Sequence, residues 1–136
     1  MASEQILSRL TDLARRNRAT LVGFDFPYGY PRGFGGALKL SSKEPWKAIW
    51  TLIAERIVDN DQNRSNRFEV AADLNARFGG EAFPFWGCPS RRERLCLTAK
   101  HTVPHRPEGL PEYRFTEQRT HGPQPAWKLY YHLNPA

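Results

Sequence analysis

The stretch "TLVGFDFPYGYPRGFGG", residues 20–36, constrains the fold more than any other. Thr20 to Phe24 is a nearly unbroken apolar run, the pattern of a strand buried on both faces of a parallel sheet. The run ends in one carboxylate, Asp25, held between Phe24 and Phe26. Pro27 and Pro31 then fix φ and remove backbone donors, while four glycines open unusual backbone angles, so residues 27–41 read as a loop. Open α/β sheets present ligands beyond the carboxyl ends of their strands, where Asp25 would sit. Asp25 either bonds loop amides as a turn cap or holds a ligand such as a metal ion.

The flanking segments extend this α/β reading. Residues 4–16 predict an amphipathic helix, with Ile6, Leu10 and Leu13 on one face, Ser3 as its cap and Arg15 and Arg16 at its C-terminal dipole. A helix followed by a buried strand is half of a βαβ unit whose first strand is missing. Ser41 and Glu44 have capping-box spacing, Pro45 suits a first turn, and Trp46, Ile49, Trp50, Ile53 and Ile57 form a helical stripe. The polar run 59–66 breaks that helix. Phe68 to Phe78 predicts another, carrying Val70, Ala71 and Leu74 and closed by Gly79. Short alternations around Leu95–Leu97, Tyr113–Phe115 and Trp127–Tyr131 predict three further strands. No internal repeat or interdomain linker interrupts the 136 residues, which read as a single domain over 1–136.

Charge bounds the partners. The net charge of +6 suits nucleic acid or a nucleotide, or simply a solvated basic face. No apolar run approaches the ~20 residues of a membrane span, and Met1 to Glu4 is unlike a signal peptide, so the expected compartment is cytoplasmic. Cys88, Cys96, His101 and His105 lack zinc-ligand spacing. Cys96 reads instead as a small core residue, and the two histidines as loop residues. Phosphate-loop, dinucleotide and Gly-x-Ser-x-Gly patterns are absent from the sequence. Glu117 lies between Arg114 and Arg119, as a structural ion pair or as a second acid beside Asp25. Arg67 and Glu69 read as a salt-bridged surface. Phe34, Phe85 and Trp86 sit beside glycine or proline, where rings either close an open edge of the core or stack on bases.

The series "LVGFDFPYGYPRGF", "NRFEVAADLN", "PFWGCP", "YRFTEQRT" and "PAWKLY" resembles a family of uncharacterised bacterial proteins regarded as ribonuclease H-like nucleases, over residues 6 to 130. The resemblance implies an α/β fold with a ribonuclease H-like core: a mixed sheet with flanking helices. It implies metal-dependent phosphodiester hydrolysis, with Asp25 and Glu117 as catalytic acids and ligands of Mg²⁺ or Mn²⁺. Tyr30, Arg32, Trp86, Arg114 and Arg119 would then contact nucleic acid. The family begins with an Asp-bearing strand ahead of the first helix, so the expectation is a partial domain, inactive through truncation and prone to associate through an unpaired sheet edge. The alternatives are a non-catalytic module for nucleic acid or a nucleotide, and a chain with no independent function.

Overall fold

The computed structural model describes residues 2–16, 19–22, 29–60, 62, 64–105, 109–120, 122 and 125–129. Among these residues four helices follow one another: α1 (Ala2–Arg15), α2 (Phe34–Ala37), α3 (Pro45–Arg56) and α4 (Arg67–Ala76). Two 3₁₀ turns, Ser90–Arg92 and Glu117–Arg119, lie in the long irregular second half.

The helix predictions hold for α1, α3 and α4 within a few residues. The capping box before α3 does not form: Ser42 Oγ, rather than Ser41, accepts the Glu44 backbone N–H at 3.0 Å. Pro45 does occupy the first turn. The stripe on α3 splits in two. Ile49 is buried and Leu52, Ile53 and Ile57 pack beside it, whereas Trp46 and Trp50 stay 59% and 39% exposed. On α1, Ile6 and Leu7 are exposed as well, and Leu10 and Leu13 only half-buried.

The expected α/β fold, a ribonuclease H-like core with a mixed sheet, is overturned. Among the described residues there is no β-strand, only isolated bridges at Asp59–Ser65, Trp86–Lys128 and Arg94–Leu97. The stretch that suggested a doubly buried strand shows why: Leu21 is 99% exposed and Val22 43%. The later alternations do not sort inside from outside: Leu97 and Trp127 are fully buried, but Leu95 and Phe115 are 91% and 68% exposed. Nor does alternation alone make a ladder. Arg94 and Leu97 pair with each other across a tight turn. Proline and glycine surround Trp86, and its pairing with the chain at Trp127 to Leu129 extends to two hydrogen bonds. The sheet edge expected to associate therefore has no sheet among these residues.

Side-chain amides supply what ladders would have supplied. Asn75, on α4, is completely buried. Its Oδ1 accepts the Phe85 N–H at 2.9 Å, and its Nδ2 donates to the carbonyls of Phe85 at 2.8 Å and Cys96 at 2.6 Å. Three backbone polar groups from two loops are thereby satisfied in the buried interior. Asn66 does the same at the start of α4, accepting from Val58 N–H at 2.8 Å and donating to the Arg56 carbonyl at 2.9 Å.

The core forms where α4 meets these loops. Phe68, Val70, Ala71 and Leu74 pack with Phe34, Phe85, Leu97, Leu110 and Trp127. Phe34 meets Trp127 edge-on at a centroid distance of 5.0 Å, and Phe85 meets it edge-on at 5.3 Å. The Trp127 Nε1–H donates to the Pro111 carbonyl at 2.8 Å, so the buried indole carries no unpaired polar atom.

Candidate functional site

Asp25 lies outside the described residues. Glu117 opens the second 3₁₀ turn, and Arg114 engages both of its carboxylate oxygens. The Arg114 backbone N–H donates to one at 2.7 Å, and its guanidinium donates to the other. Arg114 also donates to the Gly29 carbonyl at 3.1 Å, tying this turn to the loop before α2. Burial alone would raise the Glu117 pKa; the hydrogen bonds and charge of Arg114 outweigh it and hold the carboxyl below its ordinary range. Metal coordination by Glu117 would require that pair to open. Among the described residues no three His, Cys, Asp or Glu side chains are grouped to hold a metal ion.

The remaining predicted contact residues are dispersed. Tyr30 is built into the core edge, stacked on Trp127 at 5.5 Å, and burial raises its pKa. Arg114 is committed to Glu117 and Gly29. The Arg119 guanidinium lies 4.6 Å from the centroid of the exposed Phe115 ring. Arg32 is exposed at a groove beside α3. Of the aromatics, Phe34 and Phe85 are core residues, while Trp86 is half-buried.

Trp86 gathers the most. The bridge to the 127–129 segment sets its backbone alongside Lys128, and the Lys128 Nζ sits 5.5 Å from the indole centroid. His101 stacks on the indole at 5.2 Å with an interplanar angle of 19°. Gly87 N–H donates to the Thr98 carbonyl at 2.8 Å, and Thr98 Oγ1 donates to the Lys100 carbonyl at 2.7 Å, so one short turn fixes Lys100 near the bridge. A cavity of about 250 Å³ is lined by Gly87–Ser90, Ala99, Lys100 and Lys128. Neighbouring cations contribute less than their number suggests. Arg92 and Arg94 both donate to Glu69 Oε1, at 3.0 and 2.8 Å, which makes Glu69 part of a salt-bridged surface as its sequence context indicates.

The rings run inward from this surface. His101 stacks on His105 at 5.1 Å, and His105 lies nearly parallel to Trp127 at 5.9 Å. His105 Nδ1 is 3.1 Å from the Leu110 carbonyl, which can only accept, so this nitrogen carries the proton. Burial lowers the His105 pKa, with the neighbouring His101 adding to the effect against the Leu110 bond.

The cysteines stand apart from these rings. Cys88 is the fully buried one, with its thiol pKa raised by burial, whereas Cys96 is half-buried and donates to the Gly80 carbonyl at 3.1 Å.

Lys100, His101 and Lys128 are not among the contact residues expected from the sequence. The alternation Trp127–Lys128–Leu129 does carry a signal for one of them, because it places the lysine opposite a buried neighbour. Among the described residues no helix is long and apolar enough to cross a membrane. Compared with family models, with curated proteins and with solved structures, the chain matches none.

Proposed function

We propose that this chain is a non-catalytic module that binds single-stranded nucleic acid at Trp86. The observation that carries the reading is the Trp86 ring, with His101 stacked on it and the Lys128 ammonium near it, beside a cavity bordered by Lys100. A base supplies a π-face to such a platform whatever its identity, and its phosphates supply charge to the lysines. A duplex keeps its bases stacked on one another, so the unpaired strand is the better ligand.

Fluorescence anisotropy with a labelled oligonucleotide of about 12 nucleotides, within the span of single-strand sites, tests this. Affinity should fall with salt, with a logarithmic slope of about −1 to −2 for two neutralised phosphates. Trp86→Ala should weaken binding about tenfold. A salt-independent affinity, or one indifferent to both Trp86→Ala and Lys128→Ala, sinks the reading. With Mg²⁺ or Mn²⁺ present the bound strand should remain intact. Cleavage abolished by Asp25→Ala would instead restore the metal-dependent nuclease activity implied by the family resemblance.

A further inference from the structure

We infer that the groove between the loop leading into α2 and the first turns of α3 is a separate site for a nucleotide monophosphate, taking the base on tryptophan and the phosphate on Arg32. The groove encloses about 300 Å³ and is walled by Tyr30, Trp46, Ile49 and Trp50. That volume is at the small end of ligand pockets and suits one planar ring system with a short charged extension.

Three features give the groove its chemistry. Trp46 and Trp50 are one helical turn apart, so both indoles project from the same side of α3. Trp46 remains largely exposed where the same helix buries Ile49, so folding leaves its aromatic surface available. Arg32 is the single charged side chain among the lining residues, and it takes part in no ion pair among the described residues. An aromatic wall with one cation and no carboxylate is complementary to a flat ring bearing a negative charge, and a guanidinium matches a phosphate through paired donors.

The floor is held in place. Gly33, with φ of 95°, starts α2 in a left-handed conformation, and a Cβ on Gly35 would lie 3.4 Å from the Pro45 Cβ and 3.5 Å from the Ile49 Cδ1. The two elements thus approach closely under the groove, and the ligand would meet a preformed surface.

Titration of the full chain with adenosine 5′-monophosphate, adenosine and ribose 5-phosphate, followed by the four indole N–H signals in NMR, tests the site. The monophosphate should shift the Trp46 and Trp50 signals and bind about fivefold more tightly than adenosine. Ribose 5-phosphate should leave those two signals in place. Arg32→Ala should reduce the monophosphate to the affinity of adenosine, and Trp46→Ala should weaken both ligands about tenfold. With Trp86→Ala the monophosphate should still shift the Trp46 and Trp50 signals, which separates this site from the strand-binding platform. Equal binding of ribose 5-phosphate, indifference to Arg32→Ala and Trp46→Ala, or no shift at millimolar ligand would each overturn the assignment. Because Trp46 is largely exposed, an unchanged circular dichroism spectrum of Trp46→Ala is the expected folding control.

Discussion

Trp127 and Trp46 carry the same side chain in opposite surroundings. Trp127 is fully buried, ringed by Phe34, Phe85 and Tyr30, with its indole nitrogen bonded to Pro111. Trp46 is 59% exposed and lines the same groove as Arg32. The interior around α4 spends its aromatic surface on folding and closes the Phe85 and Cys96 loop groups with Asn75. The rim along α3, and the Trp86 platform, keep aromatic surface in reach of solvent and set cations next to it. In this chain the tryptophan buried in the core differs from those on which the two proposed sites rest.

Deleting each ring tests that division most strongly. Trp127→Ala should cost about 4 kcal/mol, the range for emptying a large aromatic site. Trp46→Ala should stay within about 0.5 kcal/mol. Urea denaturation of the two variants gives the difference, and similar losses would erase the distinction between interior and rim.

Asn75→Leu keeps roughly the same volume but abandons one N–H and two carbonyls in the interior. A loss of about 3 kcal/mol is expected at the 1–3 kcal/mol each such group can cost when part of the burden relaxes. A near-neutral midpoint would show that the Phe85 and Cys96 loops are held by ring packing alone.

Smaller effects come from the titrating groups at the boundary. Glu117→Gln should cost about 1 kcal/mol near neutral pH, because the Arg114 pair is only partly shielded. Since the folded carboxyl titrates below its ordinary value, its contribution is complete above about pH 4.3 and is lost as pH falls through the lowered pKa. Stability measured against pH should therefore lose part of its acid limb in the Gln variant; an unaltered limb would remove Glu117 as a cause.

His105 joins the two regions and gives the smallest effect. Its folded pKa is depressed, so the unfolded chain takes up a proton first and stability declines as pH drops from about 6.5 toward the lowered value. An NMR titration of the imidazole should give a midpoint below 6.5. A midpoint at or above that value would contradict the burial of the ring.

Local pattern was enough to locate α1, α3 and α4, because a helix satisfies its backbone within its own span and its periodicity is written in consecutive residues. It failed on residues 20–22, the described part of the apolar run 20–24, because whether such a run pairs depends on residues far away. Asn75 was legible only in part: it falls on the Phe68–Ala71 face of α4, seven and four residues on, where a polar group in a core needs partners.

The sequence by itself determined three of the helices, the basic charge and the stock of aromatic residues, all of which follow from composition and short-range periodicity. Only the tertiary structure decided which rings were spent inside and which were left beside a cation. That choice rests on how distant segments come together: Trp86 with Lys128, Arg32 and Trp46 around one groove, and Asn75 with two loops. Such contacts form through burial and hydrogen-bond closure, and no local pattern encodes them.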